Sequence, residues 1–236
     1  MVEYLNLVDD ILTHGKFRQG QKNVGTIAVV GRQVRYKFKD GFPLITTRDI
    51  RPSWEKIIVP ELLWIMSGST NANDLHKYGS HLWDKWAKVA EEKLHYQNGE
   101  LGLVYGYQLR NFGGKTDQLT QVVNMLKRDS QTRRAKISFW NLGDVEEPDG
   151  THIVNVANCI NGLHFLTIDN ELNMILDQRS ADVPVGVPHD IAGWAIFQML
   201  IAKEINLQPG ELIHNLGDTH IYENQIPAMK ELLKRN

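Results

Sequence analysis

The sequence predicts an α+β fold in a single domain that spans residues 1–236. Segments with helical and strand-like patterns mix without a βαβ alternation, which favours this class over a doubly wound sheet. A chain of 236 residues can bury one substantial core, and no low-complexity tract divides it. The chain also lacks an internal repeat, a G-x-G-x-x-G run and a Walker A motif, which are typical of other fold classes.

Helices are predicted where apolar residues recur every three or four positions. The first is EYLNLVDDILTHG, which ends at a glycine typical of a helix C-terminus. A buried helix that is interrupted or begins near Pro60 is predicted for SWEKIIVPELLWIMSG, which is apolar and too long for a strand.

Three further helices follow the same pattern. One helix in NANDLHKYGSHLWDKWAKVAEEKL carries Trp83 and Trp86 on one face. An amphipathic helix is expected in DQLTQVVNMLKRD, and the most buried helix of the chain in IAGWAIFQMLIAKEIN.

Strands are predicted where β-branched or alternating residues lie between turn signals. After a polar loop, GTIAVVGRQVRYKF forms two strand pieces or one strand with a bulge near Gly31. Strands follow in AKISFW, NGLHFLTIDN and ELNMILDQRS, and the last two are joined as a hairpin at Asp169 and Asn170. A closing strand and turn are expected in GELIHNLGDTHIY.

The composition indicates a soluble protein of the cytoplasm. The 26 Lys and Arg residues against 28 Asp and Glu give a net charge of −2, so nucleic acid is not an expected partner. No apolar run reaches the roughly 18 residues of a membrane span, and the N-terminus is too acidic for a signal peptide, so no membrane is expected. Cys159 is the only cysteine, which excludes an internal disulfide and a multi-cysteine metal site, and we expect no metal.

Eight short motifs along nearly the whole chain contain residues suited to nucleotide chemistry. They are DGFPLITTR, ELLWIMSGSTN, WDKWA, LGLVYGYQLR, TRRAKISFWN, VANCING, DQRSAD and GDTHIY. In order and spacing they resemble the thymidylate synthase family. The resemblance implies the thymidylate synthase fold, a twisted mixed sheet packed with helices, with the sheets of a homodimer back to back. It also implies a pyrimidine nucleoside monophosphate substrate and 5,10-methylenetetrahydrofolate as the one-carbon donor; fold likeness alone does not settle the reaction, so each residue is matched in turn.

Cys159 matches the nucleophile of the family, at the end of a loop that enters a strand. A thiolate that adds to C6 of a pyrimidine makes C5 enamine-like, so that C5 can attack a one-carbon donor. Neighbouring guanidinium groups favour the thiolate. The alternative for a lone cysteine is a small, inert core residue.

Arginines match the phosphate ligands of the family. Arg179 and Ser180 match the phosphate ligands of the family. Arg133 and Arg134 match phosphate ligands that in the family come from the partner subunit. Forked guanidinium donors suit a phosphate dianion, and a shared phosphate site requires a dimer. The alternative for Arg133 and Arg134 is a solvated helix end.

The N-terminal loop departs from the family pattern. The family has an arginine before the position of Gly25, whereas this chain has Gln21 and Lys22. Lys22 or Arg18 is therefore the candidate for the missing phosphate contact.

Two further groups of residues match the sugar and acid–base positions. His220 and Tyr222 match a pair that hydrogen-bonds the deoxyribose 3′-hydroxyl, with a pair satisfied in a turn as the alternative. Glu61 matches the glutamate that organises water and proton transfer, and its apolar neighbours are expected to raise its pKa by desolvation. Tyr105 is expected in the same network.

The folate positions are aromatic and acidic. Trp83 and Trp86 match aromatics that face the folate, and Asp182 matches the carboxylate that pairs with the pterin ring. The alternative for tryptophans at helical spacing is packing in the core.

Asp190 departs from the family in a way that changes the predicted base. Synthases have an asparagine there, which matches the N3–H donor and O4 acceptor of uracil, whereas cytosine has an N3 acceptor and a 4-amino donor. A carboxylic acid, or a carboxylate facing a protonated N3, fits cytosine and leaves uracil unmatched. The alternative is that Asp190 caps the next helix. Two further departures from the synthases point, like Asp190, towards deoxycytidylate hydroxymethylases. They are His164, where synthases have glutamine, and the CIN run, where synthases read Cys-His.

The leading hypothesis is therefore a deoxycytidylate (dCMP) hydroxymethylase. Synthases exclude water with a C-terminal tail, whereas this chain ends 14 residues after Tyr222, and a less sealed site favours addition of water to the one-carbon unit. The alternatives are a dCMP methylase, a thymidylate synthase acting on dUMP, and a nucleotide-binding protein without catalysis.

Overall fold

The computed structural model describes residues 2–19 and 24–235. The chain divides into two compact units. We call residues 51–164 the central unit, and residues 1–50 with 165–236 the terminal unit. Helices and strands are mixed in the chain, and the predicted α+β class is confirmed.

The strands form one six-stranded sheet in the order β1-β2-β6-β5-β4-β3. Their bounds are β1 Lys16–Arg18, β2 Thr26–Lys37, β3 Lys136–Ser138, β4 Ile160–Ile168, β5 Glu171–Asp182 and β6 Gln208–Tyr222. The helices are α1 Val2–His14, α2 Arg51–Ser53, α3 Val59–Ser67, α4 Asn73–His76, α5 Asp84–Leu94, α6 Tyr105–Asn111, α7 Gln118–Arg128, α8 Gly186–Glu204 and α9 Ile226–Leu232.

The sheet is mixed because β5 and β6 run parallel, with α8 between them in the chain. The sequence predicted no βαβ alternation, and β5-α8-β6 is a single βαβ connection that the local patterns did not reveal. A strand pair joined by a long apolar helix must run parallel if the helix packs back on the sheet. The other pairings that the structure describes in detail are antiparallel.

The N-terminal strands differ in two ways from the prediction. β2 is one continuous strand whose register with β6 stays constant on both sides of Gly31, so the structure has no bulge there. Gly31 has a φ of +68°, which glycine adopts without a steric cost. In the sequence this glycine interrupts the β-branched pattern although the strand itself continues. The preceding segment, predicted as loop, contains β1, which is too short to produce an alternating pattern.

The predicted hairpin between β4 and β5 is confirmed. Asp169 and Asn170 have φ angles of 50° and 63°, and both residue types tolerate the left-handed region that a two-residue hairpin turn requires.

Two helices of the terminal unit confirm the periodicity analysis. α1 ends where predicted, and the Gly15 N–H donates to the Ile11 carbonyl at 2.9 Å. α8 carries more buried residues than any other described helix, as expected from its apolar sequence.

The helix that carries Glu61 begins near Pro60, as predicted. A π-helical turn, Trp54–Ile58, precedes α3, and the Val59 N–H donates to the Trp54 carbonyl instead of the Glu55 carbonyl. Pro60 has no N–H to continue a regular hydrogen-bond ladder, so it is tolerated in the first turn of α3.

The prediction of one long helix after residue 71 was wrong. The segment forms two helices, α4 and α5, separated by a turn in which Gly79 has a φ of +76°. A left-handed residue cannot continue an α-helix, so the chain changes direction before Trp83. None of the described helices is both long enough and apolar enough to cross a membrane.

Candidate active site

Cys159 lies where the sequence predicts it, at the last loop position before β4. The Tyr105 hydroxyl oxygen accepts a hydrogen bond from the Cys159 N–H at 2.7 Å and another from the Ile160 N–H at 3.0 Å. The preceding residue is also held, because the Asn158 side chain donates to the Phe139 carbonyl at 3.0 Å. These contacts fix the backbone that carries the thiol.

Tyr105 is itself held by aromatic rings. It begins α6 and is buried, and the Phe139 and Trp83 rings meet it edge-on with centroids 5.5 and 6.5 Å away. Edge-to-face packing of this kind restricts the ring. The hydroxyl therefore has a defined position against the Cys159 backbone.

Glu61 lies in the first turn of α3 and accepts a hydrogen bond from the Trp83 indole N–H at 2.8 Å. Burial raises the pKa of Glu61 to about 7, and the hydrogen bond from Trp83 opposes that rise. Leu62 and Trp64 are buried beside it as expected, but Leu63 is 41% exposed because it lies on another side of the helix. A carboxyl group with this pKa can both give and take a proton near neutral pH.

The two tryptophans have different surroundings. Trp83 is 6% exposed, precedes α5 and packs against Trp64 with ring centroids 5.5 Å apart. Trp86 is half-buried one turn later. Trp83 thus combines a packing role with a hydrogen bond to the acid Glu61, whereas Trp86 keeps more accessible surface.

Arg133 and Arg134 are exposed in the loop between α7 and β3. They lie several residues beyond the end of α7 at Arg128, and both side chains are exposed to solvent. The His164 Nε2–H donates to the Arg133 carbonyl at 3.0 Å, which ties β4 to this loop. The central unit thus contains Glu61, Trp83, Tyr105, Cys159 and the arginine pair Arg133 and Arg134.

The terminal unit contains a cavity of about 760 Å³. Five predicted ligands line it: Arg179, Ser180, Asp182, His220 and Tyr222. Arg18 also lines the cavity and forms an ion pair with Asp218. Lys22 lies outside the described residues.

β5 and β6 supply the side chains of this cavity. His220 and Tyr222 lie in β6 instead of a turn, with ring centroids 5.2 Å apart in an edge-to-face arrangement. Asp182 ends β5, and burial raises its pKa although the Val185 N–H donates to it at 3.2 Å. Cationic, hydroxyl and carboxylate groups together suit a ligand with a phosphate and hydrogen-bonding groups.

Asp190 lies inside α8, which begins at Gly186. The N-cap position is Val185, so the helix-cap alternative for Asp190 does not hold. The Gln178 amide nitrogen donates to Asp190 Oδ2 at 3.0 Å.

Gln178 and His214 are functional candidates that the sequence reasoning missed. Gln178 is 3% exposed and its Oε1 is 2.7 Å from Nε2 of His214, which is fully buried. Burial lowers the pKa of His214 to about 3, so the ring is neutral. The available signal was periodicity, because both polar residues occupy positions in the buried, mostly apolar alternation of their strands.

A group of possible metal ligands lies elsewhere in the described part of the central unit. His76 and His81 each hydrogen-bond the Asp84 carboxylate, at 2.7 and 2.8 Å. These bonds connect α4 and the turn after it to the start of α5.

A family model described as thymidylate synthase matches residues 2–236. Members of this family transfer a one-carbon unit from methylenetetrahydrofolate to C5 of a pyrimidine nucleotide. The match covers nearly the whole chain and includes every candidate residue described above. The chain therefore belongs to the thymidylate synthase family and is a one-carbon transferase that acts on a pyrimidine nucleotide.

Proposed function

We propose that this enzyme hydroxymethylates C5 of dCMP. In the balanced reaction, dCMP, 5,10-methylenetetrahydrofolate and water give 5-hydroxymethyl-dCMP and tetrahydrofolate. The observation that carries the proposal is the carboxylate of Asp190, which Gln178 holds by a hydrogen bond at a position where synthases have an amide.

The hydrogen-bonding groups on the edge of the base explain why a carboxylate would select cytosine. A carboxylate accepts hydrogen bonds and, once protonated, also donates one. Cytosine has a 4-amino donor next to N3, so it pairs with Asp190 when one proton is shared between N3 and the carboxylate. Uracil has a carbonyl in place of the amino group, and an unmatched buried acceptor is costly to bind.

Cys159 is the proposed nucleophile. Its sulfur forms a bond to C6, and the electron pair of the C5–C6 double bond becomes available at C5 for bond formation to the one-carbon unit. Tyr105 fixes the backbone on both sides of the Cys159–Ile160 peptide bond, so that the thiol approaches C6 from a defined direction. Once the one-carbon unit is bound to C5, C5 loses its proton and the bond from the unit to the folate nitrogen breaks, which releases tetrahydrofolate and leaves an exocyclic methylene on the ring. Water adds to this methylene, and expulsion of the sulfur then restores the aromatic ring.

The cavity of the terminal unit suits the phosphate and the sugar. Arg179 and Ser180 provide donors for the phosphate, and His220 and Tyr222 provide groups for the 3′-hydroxyl. We propose that Arg133 and Arg134, which are exposed on their loop, complete the phosphate site of the partner subunit in a homodimer.

The folate supplies the one-carbon unit at the oxidation level of formaldehyde. Asp182 suits the pterin because a partly buried carboxylate accepts hydrogen bonds from the ring N–H groups. Trp86 offers an accessible aromatic surface, whereas Trp83 positions Glu61.

Glu61 is the proposed proton carrier for water. Because its pKa is about 7, it accepts a proton from the water molecule that adds to the one-carbon unit and returns a proton later in the cycle. Addition of water gives the hydroxymethyl product, whereas transfer of hydride would give a methyl group.

Product analysis tests the proposal directly. The protein is incubated with methylenetetrahydrofolate and either dCMP or dUMP, and the nucleotide is weighed by mass spectrometry. We expect dCMP to gain CH2O and the Cys159→Ser variant to give no product. A gain of CH2 shows a methylase, faster conversion of dUMP shows a thymidylate synthase, and binding without turnover that Cys159→Ser leaves unchanged shows a non-catalytic protein; each result overturns the proposal.

A further inference from the structure

The Gln178 side chain connects three polar groups of the terminal unit. Its amide nitrogen donates to the Ser180 carbonyl and to Asp190 Oδ2, both at 3.0 Å. Its oxygen lies 2.7 Å from His214 Nε2. These contacts use both amide hydrogens and one lone pair of the oxygen.

The orientation of this amide follows from the chemistry of its partners. The Ser180 carbonyl can only accept a hydrogen bond, so the NH2 group of Gln178 must face it. The oxygen then faces His214, whose Nε2 must carry the proton. His214 is neutral in its buried position, and its Nδ1 has no hydrogen-bond partner among the described residues, which agrees with a single proton on Nε2.

An amide held in this way always presents an N–H to Asp190. A donor hydrogen bond stabilises the ionised form of a carboxyl group relative to the protonated form. The reverse orientation would place the Gln178 oxygen against two acceptors, the Ser180 carbonyl and Asp190 Oδ2. It would also move the proton of His214 to Nδ1, which is buried without a hydrogen-bond partner among the described residues, so His214 opposes it as well.

We propose that Gln178, oriented by His214, keeps Asp190 as a carboxylate that accepts two hydrogen bonds from an N3-protonated cytosine. This inference rests on the proposed function and specifies the form of the recognised base. The N3 proton is taken up from water when dCMP binds. Gln178 and His214 are positioning residues that act through Asp190.

This arrangement explains rejection of uracil whichever carboxylate oxygen faces N3. A carboxylate offers two acceptors, and protonated cytosine offers two donors at N3 and the 4-amino group. Neutral uracil offers one donor and one acceptor, so it fits only if Asp190 takes a proton. The hydrogen bond from Gln178 opposes that protonation.

The first test replaces Gln178 by methionine, which has a similar shape and no amide. We expect Gln178→Met to lower the preference for dCMP over dUMP by about 10-fold or more, because the lost bond is to a charged group. The preference is measured as the ratio of kcat/KM values and as the ratio of Kd values. Neither ratio depends on the fraction of correctly folded protein, because that fraction affects the values for dCMP and dUMP equally.

Gln198→Met is the matched control. Gln198 is a fully buried glutamine of the same unit, and its amide donates to the Leu172 and Glu211 carbonyls at 2.8 and 3.0 Å. Its replacement also removes a buried amide, but we expect an unchanged dCMP preference. A loss of preference in both variants would show a general packing effect and overturn the assignment to Gln178.

Variants of His214 test the second step. His214→Met removes the donor to Gln178, and we expect the dCMP preference to fall in the same direction but by less than in Gln178→Met. His214→Gln can restore a donor near the Nε2 position, and we expect it to recover most of the preference. Equal preferences in both His214 variants would overturn the role of the His214 donor.

A spectroscopic measurement separates this inference from the proposed function. The 15N chemical shift of N3 is recorded for labelled dCMP bound to the wild-type protein and to the Gln178→Met and Gln198→Met variants. We expect a protonated N3 in the wild type and Gln198→Met, and an unprotonated N3 in Gln178→Met. An unprotonated N3 in the wild type, together with formation of hydroxymethyl-dCMP, would overturn this inference alone, whereas failure to convert dCMP would overturn the proposed function.

Discussion

The Tyr105 hydroxyl accepts the N–H groups of both Cys159, at 2.7 Å, and Ile160, at 3.0 Å. A side chain therefore satisfies two backbone donors at the start of β4, where a sheet would normally use a neighbouring strand. The position of the thiol depends on a phenol that Phe139 and Trp83 hold in place.

Tyr105→Phe removes this acceptor without changing the ring. We expect kcat to fall by about 10-fold or more because the thiol loses its fixed approach, while the Kd for dCMP changes little. The two N–H groups lose their partner, so the free energy of unfolding should decrease by about 1–3 kcal/mol. Steady-state kinetics and chemical denaturation measure the two effects.

Tyr96→Phe is the control for the loss of a hydroxyl group. The Tyr96 hydroxyl donates to the Ile153 carbonyl at 2.8 Å in the same unit. We expect Tyr96→Phe to lower stability but to keep kcat. A normal kcat in Tyr105→Phe would contradict the positioning role.

Titration of Glu61 is expected to lower the free energy of unfolding as the pH rises. Burial raises its pKa in the folded state to about 7 from 4.5, so the folded protein binds more protons between these pH values. The contribution of Glu61 to the free energy of unfolding therefore decreases as the pH rises from 4.5 to about 7 and levels off above it. Glu61→Gln lacks this titration. Its free energy of unfolding, relative to that of the wild type, should therefore increase by on the order of 3 kcal/mol between pH 4.5 and pH 7. Denaturation at several pH values measures the difference, and a constant difference would contradict the assignment.

Trp83→Phe tests the hydrogen bond to Glu61. The Trp83 N–H stabilises the ionised carboxylate, so its loss should raise the pKa of Glu61 further. We expect the inflection in the pH profile of kcat to move to higher pH. An inflection that stays in place or moves to lower pH would show that Trp83 does not control this carboxyl group.

A shared phosphate site predicts complementation between inactive subunits. In a heterodimer of Cys159→Ser with Arg133→Glu/Arg134→Glu, one site has the intact thiol and the intact arginines of the partner. Random mixing should restore about a quarter of the wild-type activity, because half of the dimers are mixed and each has one complete site.

The control mixture combines Cys159→Ser with Glu61→Gln. Both residues belong to the central unit of one chain, where Trp83 and Tyr105 link them through the contacts described above. No intact site forms in these heterodimers, and we expect no recovery. Absence of recovery in the first mixture as well would contradict the shared site.

Local sequence patterns predicted those elements that depend on local interactions. α1 and α7 follow from apolar spacing, and the N-cap of α7 is Asp117, whose side chain accepts the Thr120 N–H at 3.0 Å. α8 follows from its apolar sequence, but it begins at Gly186, five residues before the predicted start at Ile191. The turn at Gly79 was missed because the apolar spacing continues through it. A single left-handed residue ends a helix whatever the pattern on either side.

Contacts distant in sequence explain what was missed. The parallel pairing of β5 with β6 depends on how α8 packs, which no local pattern encodes. Gln178 and His214 meet across these two strands although 36 residues separate them. Each alone is a polar residue at a buried position of its strand, and only their pairing shows how Asp190 is held.

The most direct test of the account is the base preference of Asp190→Asn. An amide at this position matches the N3–H and O4 groups of uracil, so we expect the ratio of kcat/KM for dCMP to that for dUMP to fall by about 100-fold or more. The expected result is a wild-type protein that prefers dCMP and a variant that prefers dUMP. A wild-type preference for dUMP, or a variant that keeps the preference for dCMP, would contradict the claim that Asp190 selects cytosine.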